Sequence, residues 1–345
     1  MKRSLTVLLL FFTTIGFSQV LPDVSGGSHL ASIGNLVLES GAVINNCEIG
    51  YRIHGHLNED RSNSVVFCTW YTGDAAGVES THPWEAVDTT KYCLIIIDAL
   101  GDGVSSSPSN SKQQQHGADF PRFTIRDMVN SQHQLLTNKL QINHVKAVMG
   151  ISMGGIQTFQ WAVSYPGFMD VLIPIVGTPQ PSSFDLMVCN TFRETIEENT
   201  GYDHGRYKIN PTIPNATMML DVFLTTPADR VKNVKREDVP KWVAANKTRQ
   251  DQDWNNTDYQ LNAIINHDIS KDFNNSLEEA AKHIKAKMLI ISSLQDHMVN
   301  PTPAMEFSKL LPAKLIVLND EKGHQAPNFF NPVIKDAIIE ILGEK

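Results

Sequence analysis

A serine between two glycines is the group in this sequence best suited to chemistry: Ser152 stands at the centre of Gly-Ile-Ser-Met-Gly, residues 150–154. An apolar run at 145–149 precedes it, and apolar side chains at helical spacing follow it at 156–165. This pattern predicts a sharp turn between a buried strand and a helix, on which the serine hydroxyl is exposed as a nucleophile. Glycine is needed on both sides because the two backbones pass too close for a Cβ atom.

A serine hydroxyl is a poor nucleophile at neutral pH, so it needs a histidine to accept its proton and a carboxylate to orient that histidine. In the chain order serine, acid, histidine, the candidates are Asp296 and His324, each of which follows an apolar run predicted to be a strand. Asp320 and Glu321 compete for the role of the acid. They share a loop with His324, however, and a carboxylate there would have to fold back, so Asp296 is the preferred candidate.

The oxyanion that develops on the attacked carbonyl group needs two backbone N–H donors. The first is that of Met153, directly after the serine. The second belongs to the loop 68–73, and the spacing alone leaves open which residue supplies it. No cofactor is expected, and no metal either: His54, His56 and His297 could suggest a metal pair, but no set of ligands at usable spacing accompanies them.

The elements that must position these groups alternate along the chain, and several strand candidates are apolar throughout, as is typical of strands covered on both faces. This alternation predicts an α/β fold with a mostly parallel central sheet, helices on both of its faces, and an antiparallel start. The predicted strands are 35–38, 47–53, 64–70, 92–98, 145–149, 171–176, 287–292 and 314–318. The predicted helices are 124–140, 153–165, 303–310 and 332–342.

The chain has 345 residues, of which 41% are hydrophobic, and can therefore bury a large core. The alternation of strands and helices stops near 177 and resumes near 286, and the sequence between is polar and mainly helical in character. We predict an α/β core formed by residues 30–177 and 286–345, with a helical lid inserted at 178–285. The formal net charge is −8 without a basic cluster, which argues against nucleic acid as a partner.

Residues 1–18 are expected to be a secretory signal peptide. Lys2 and Arg3 precede an apolar run at 5–15, and small or polar residues follow it, so cleavage is predicted just after Ser18. The apolar run is short for a membrane span, and we therefore expect removal rather than a membrane anchor. The mature protein is expected in a periplasm or outside the cell.

An exported chain can form disulfides, and four cysteines, at 47, 68, 93 and 189, allow three full pairings. Cys68 and Cys93 lie within apolar runs predicted to be core strands, where a free cysteine packs as a small hydrophobic side chain. We therefore favour buried thiols over disulfides.

Three segments resemble the homoserine O-acetyltransferase-like branch of the α/β-hydrolase superfamily. They are Thr-Trp-Tyr-Thr-Gly-Asp at 69–74, the stretch 92–110 with its Ile-Asp-Ala-Leu-Gly-Asp-Gly, and Gly-Ile-Ser-Met-Gly-Gly-Ile-Gln at 150–157. The resemblance covers most of 45–180 and 286–330 and is loose in the lid. It implies the α/β-hydrolase fold.

The same resemblance assigns roles to individual residues. It makes Ser152, Asp296 and His324 the catalytic triad, and the backbone N–H of Tyr71 the second oxyanion donor. It also implies that the protein can form a homodimer through the lid.

Two departures from this family bear on the substrate. The loop at 69–71 reads Thr-Trp-Tyr where the family more often has histidine, alanine and leucine. The arginine and aromatic side chains with which its true homoserine enzymes bind the amino acid have only weak counterparts here, Arg193 and Tyr207. The resemblance therefore carries over the acyl chemistry but not homoserine as the acceptor.

These observations lead to three hypotheses for function. The first is a secreted ester hydrolase that forms an acyl-enzyme on Ser152 and acts on small acyl esters. The second is an O-acyltransferase, which export disfavours because acetyl-CoA is held in the cytoplasm. The third is a non-catalytic binding protein on a hydrolase scaffold, against which the intact set of Ser152, Asp296 and His324 argues.

Overall fold

A computed structural model describes residues 27–250 and 252–343, so the predicted signal peptide lies outside the described residues. The core is one eight-stranded sheet. The strands are β1 (His29–Val37), β2 (Val43–His54), β3 (Ser64–Cys68), β4 (Cys93–Ile97), β5 (Val145–Ile151), β6 (Met169–Ile175), β7 (Lys287–Ser293) and β8 (Ala313–Leu318). Their order across the sheet is β1-β2-β4-β3-β5-β6-β7-β8. Only the β1–β2 and β2–β4 pairs are antiparallel within it, which confirms the predicted mostly parallel sheet.

Helices lie along both faces of this sheet and in a segment between β6 and β7. They are α1 (Ala75–Glu79), α2 (Ile125–Gln134), α3 (Met153–Ser164), α4 (Ser183–Glu197), α5 (Pro214–Phe223), α6 (Pro227–Asn233), α7 (Val239–Lys247), α8 (Trp254–Ile265), α9 (Leu277–His283), α10 (Thr302–Phe307) and α11 (Pro332–Gly343). A π-helical turn, Leu135–Lys139, continues α2. We call α4 to α9 the helical segment. The boundaries that we predict for a lid, 178 and 285, fall in the connections on either side of it.

The side chains of the central strands alternate between two buried clusters, one on each face of the sheet. In β4, Ile95 and Ile97 pack with α2 and α3, whereas Leu94 and Ile96 pack with α1 and α11. Both faces are covered, and this is why these strands read as unbroken apolar runs rather than alternating ones. The burial of apolar side chains on both faces stabilises the sheet that carries the candidate site.

Each of the eight predicted strands is present, but the first two begin earlier than expected. β1 starts at His29 rather than at 35, and β2 at Val43 rather than at 47. The pairing of β1 with β2 shifts register on both sides of Gly34, and most side chains of β1 are at least partly exposed. An irregular edge strand of this kind has no apolar run by which to recognise its start.

The four cysteines are free thiols, and Cys47, Cys68 and Cys93 are buried, whereas Cys189 is partly exposed. Burial raises the pKa of Cys47 and of Cys93 to about 12, so both stay protonated at neutral pH. The thiols in the sheet therefore act as small core side chains. Within 27–250 and 252–343, no helix is both long and apolar enough to cross a membrane.

Candidate active site

Ser152 lies on the turn between β5 and α3 with φ 60° and ψ −121°. This backbone conformation is costly for a residue other than glycine, and the surrounding structure must hold it. The Ser152 N–H donates to the Ile175 carbonyl at 2.9 Å, which ties the turn to the neighbouring strand. A Cβ atom on Gly150 would lie 2.4 Å from the Gly154 carbonyl carbon, and one on Gly154 would lie 2.2 Å from the Cys68 carbonyl oxygen. The close approach that we predict from the two glycines is therefore present.

Gly154→Ala is expected to destabilise the protein by at least about 1–3 kcal/mol, the usual cost of forcing an extra carbon into a packed site. The obstacle is backbone, which cannot rotate away as a side chain can. Gly167→Ala is the matched control, because a Cβ there meets nothing within 4 Å. Urea unfolding of both variants measures the difference, and equal stabilities would contradict the close packing of the turn.

His324 connects the serine to a buried carboxylate. Its Nε2 lies 2.8 Å from the Ser152 Oγ, and its Nδ1 lies 2.6 Å from the Asp296 Oδ2. The other oxygen of Asp296 accepts the backbone N–H groups of Met298 at 2.8 Å and Val299 at 2.9 Å. A carboxylate accepts hydrogen bonds only, so Nδ1 carries the proton and Nε2 is left to accept the serine proton.

Three loops at one edge of the sheet bring these groups together. Ser152 follows β5, Asp296 follows β7 and His324 follows β8, and these strands are parallel. The carboxyl ends of parallel strands meet at the same edge, which is why residues 172 positions apart touch. The competing acids point elsewhere: Asp320 accepts the Lys322 N–H at 2.8 Å, and the exposed Glu321 pairs with Lys232.

Tyr71 and Met153 line the same cavity as Ser152. Met153 is the first residue of α3, where a backbone N–H has no partner within its own helix. Tyr71 lies in the loop after β3, and its hydroxyl donates to the Thr257 carbonyl on α8 at 3.1 Å. The use of their N–H groups for an oxyanion stays a prediction.

Buried amide side chains on α2 and α3 hold the loop after β3 in place. Gln157 donates to the Thr69 carbonyl at 2.9 Å and accepts from Gln132 at 2.6 Å, and Trp161 donates to Gln132 at 2.9 Å. We did not predict this network. Its signal in the sequence is a pair of glutamines within helices that are otherwise largely buried, since a buried amide must find partners.

The helical segment also holds this loop. The Thr72 N–H donates to Gln260 Oε1 on α8 at 2.9 Å. Thr72 has φ 57°, a left-handed conformation that is unusual for a β-branched residue and needs such support. The helical segment therefore takes part in shaping the site.

An apolar cavity leads to the serine, with about 520 Å³ between its walls, part of it open to solvent. No charged side chain lies among the described residues that line it. Beyond Ser152, Tyr71 and Met153, the lining consists of Ile156, Val188, Cys189, Phe192, Met219, Leu220, Phe223, Leu261, Ile264, Met298 and Val299. Such walls favour uncharged, apolar groups.

Arg193 and Tyr207, the weak counterparts of amino-acid-binding residues, are not among these lining side chains. Arg193 Nε lies 3.3 Å from Glu197 on the same helix, and the Tyr207 hydroxyl accepts the Asn255 N–H at 2.9 Å. His54, which we considered as a metal ligand, pairs with Glu79 at 2.7 Å. Among the described residues, no group of three or more histidine, cysteine or acidic side chains is arranged to hold a metal ion.

Comparison with known proteins agrees with this architecture. The family model described as alpha/beta hydrolase fold matches residues 75–326. An ethyl acetate hydrolase of Pseudomonas veronii is 36% identical over 190 residues, which cover 54% of this chain and 54% of that protein. A homoserine O-acetyltransferase of Methanohalobium evestigatum is 32% identical over 320 residues, covering 81% of this chain and 64% of that protein.

A solved structure gives a fuller match than these sequences do. The acetylester hydrolase from Corynebacterium glutamicum superposes with a TM-score of 0.83 at 27% identity, over 92% of this chain and 97% of that one. In sequence, by contrast, the chain spans about half the length of the first curated relatives that it matches. The predicted resemblance to homoserine O-acetyltransferases is confirmed, together with a likeness to ester hydrolases. With the family model matching most of its length, the chain belongs to the α/β hydrolase fold family.

Proposed function

We propose that this protein is a serine-dependent ester hydrolase that acts on small, uncharged esters through an acyl-enzyme on Ser152. One observation carries the proposal: the hydrogen-bonded series Ser152, His324 and Asp296 opens onto an apolar cavity. Each member has the partner that it needs for nucleophilic catalysis. The similarity to an ethyl acetate hydrolase and to an acetylester hydrolase supports the same conclusion.

In the proposed reaction, the Ser152 Oγ attacks the carbonyl carbon of the ester while its proton passes to His324 Nε2. Asp296 stabilises the imidazolium that forms, and the N–H groups of Met153 and Tyr71 stabilise the oxyanion. The bond to the alcohol oxygen then breaks, and His324 gives its proton to that oxygen. Water attacks the acyl-enzyme with His324 again acting as the base, which releases the acid and restores the serine.

The lining of the cavity supports an uncharged substrate. Homoserine carries an ammonium and a carboxylate group, and burying either without a partner costs several kcal/mol. Arg193, which could pair with a carboxylate, lies beside Glu197 instead. Apolar alkyl groups, in contrast, gain free energy by leaving water for walls such as Phe192 and Leu220.

An O-acyltransferase is the second candidate, because the similarity to a homoserine O-acetyltransferase extends over 81% of this chain. Both candidates form the same acyl-enzyme and differ only in whether water or an alcohol attacks it.

We propose export by the predicted signal peptide at 1–18. Export would separate the enzyme from cytoplasmic acetyl-CoA and therefore supports hydrolysis over acyl transfer. Cell fractionation followed by N-terminal sequencing tests this, since protein that stays in the cytoplasm with residue 1 intact would contradict it.

Ethyl acetate and p-nitrophenyl acetate are expected to be hydrolysed by the mature protein at a steady rate in water alone. Incubation with acetyl-CoA and homoserine is expected to yield no O-acetylhomoserine, because the cavity offers no partner to the charged groups of the acceptor. Ser152→Ala is the control for background hydrolysis. Mass spectrometry of the intact protein distinguishes the candidates, since acetyl-Ser152 that clears only after an alcohol is added would identify a transferase.

A further inference from the structure

A buried carboxylate outside the triad joins the helical segment to the loop that carries Asp296. Asp185 is the third residue of α4 and is only 4% exposed. Its Oδ2 accepts the Ser182 N–H at 2.6 Å and completes the capping box of α4. Its Oδ1 accepts the N–H of Asn300 at 2.7 Å, across 115 positions of the chain. One side chain thus fixes the start of α4 to the acid loop.

The hydrogen bond to Asn300 completes a set of contacts that shapes this loop. The Asp296 Oδ1 accepts the N–H groups of Met298 and Val299, and Asp185 accepts the next N–H along the chain, that of Asn300. Movement of Asn300 would therefore be transmitted to the carboxylate that orients His324. Met298 and Val299 also line the cavity, so the same loop forms part of its wall.

The pKa of the Asp185 carboxyl group is raised above its usual range, mainly by burial. Burial raises its pKa, the backbone N–H groups of Asn300 and Ser182 oppose that rise, and the neighbouring Asp296 carboxylate adds to it. A carboxylate kept in such a place must be held by its hydrogen bonds.

We propose that Asp185 is a positioning residue for ester hydrolysis: by accepting the Asn300 N–H, it holds the acid loop so that Asp296 stays aligned with His324. The inference rests on the proposed function, because Asp185 acts through the triad. It also gives the helical segment a role in catalysis in addition to that of forming walls of the cavity.

The chain contains a matched control for this position. Asp127 is the third residue of α2 and is 1% exposed. It completes a capping box by accepting the Thr124 N–H at 3.0 Å, and its other oxygen accepts a distant backbone N–H, that of Glu39, at 2.9 Å. Glu39 lies in the β1–β2 connection at the far end of the sheet from β7.

Asp185→Asn and Asp127→Asn each place an NH₂ group against one of two backbone N–H groups, so both are expected to destabilise the fold to a similar extent. Only Asp185→Asn is expected to lower kcat, by about 10-fold to 100-fold for a slightly misplaced catalytic group. KM for p-nitrophenyl acetate is expected to change by less than about 3-fold, since substrate contacts remain. Each kcat is expressed per active site titrated with a fluorophosphonate, so that a loss of folded protein does not count as a loss of rate.

Asparagine can keep its oxygen on the Asn300 N–H and turn its NH₂ group toward Ser182, so Asp185→Ser, which is too short to reach Asn300, is made as well, with Asp127→Ser as its control. A wild-type kcat per titrated site in both Asp185 variants would overturn the inference, as would an equal fall in the matched Asp127 variants. Wild type and Ser152→Ala are assayed alongside. An inactive wild type, or an active Ser152→Ala, would refute the proposed function itself, whereas normal behaviour of both leaves only the role of Asp185 in question.

Discussion

Ser152→Ala is expected to lower kcat for ester hydrolysis by a factor on the order of 10⁶ and to leave the fold intact. The substitution removes the atom that lies 2.8 Å from His324 Nε2, so no acyl-enzyme can form. Alanine keeps the Cβ atom, and with it the same backbone strain, and also keeps the backbone N–H that donates to Ile175. The change in the free energy of unfolding is therefore expected to stay within about 0.5 kcal/mol.

Ser164→Ala provides a matched control on the helix that follows the nucleophile, because the Ser164 hydroxyl accepts a hydrogen bond from Gln160 within α3. This variant is expected to keep wild-type turnover. Labelling with a fluorophosphonate should fail in Ser152→Ala and succeed in Ser164→Ala. Retained hydrolysis in purified Ser152→Ala would mean that another group is the nucleophile.

The second large effect is expected at Asp296. Asp296→Asn should reduce kcat by about 10⁴, as loss of the correct imidazole tautomer does in serine hydrolases. The structure gives the reason: one oxygen at this position accepts two backbone N–H groups, so the oxygen of asparagine is retained there. The NH₂ group then faces His324 Nδ1, which forces the ring proton onto Nε2, where it blocks acceptance of the serine proton.

Asp320→Asn is the control for this experiment, because Asp320 is exposed and accepts the local N–H of Lys322. It is expected to show wild-type kinetics. A normal rate in Asp296→Asn together with a large fall in Asp320→Asn or Glu321→Gln would show that the acid belongs to the loop of His324 instead.

Much of the core and of the candidate triad could be predicted from the sequence because the signals are local. A buried parallel strand requires an apolar run, and the turn at Ser152 requires Gly150 and Gly154, whatever the rest of the chain does. The order of strands along the chain then places Asp296 and His324 in loops at one edge. The sequence does not predict the early starts of β1 and β2. β1 is a partly exposed edge strand, and the first residues of β2 pair only with β1, so neither stretch has the apolar run of a central strand.

The helical segment was predictable only in outline. Its capping box at Ser182 and Asp185 can be recognised in the sequence, but the bond from Asp185 to Asn300 cannot, because it depends on how α4 packs against a loop 115 positions away. The same holds for Gln260, which reaches Thr72 from α8. The predicted cleavage after Ser18 lies outside the described residues and stays a prediction.

The sequence by itself determined the nucleophile turn, the parallel sheet and the order in which serine, acid and histidine candidates occur. These follow from steric limits and apolar periodicity within short stretches of chain. Only the tertiary structure decided that Asp296 is the acid beside His324, that Arg193 pairs with Glu197, and that the cavity walls are apolar. These features depend on which faces of distant helices and loops pack together. A local sequence pattern does not specify such long-range packing.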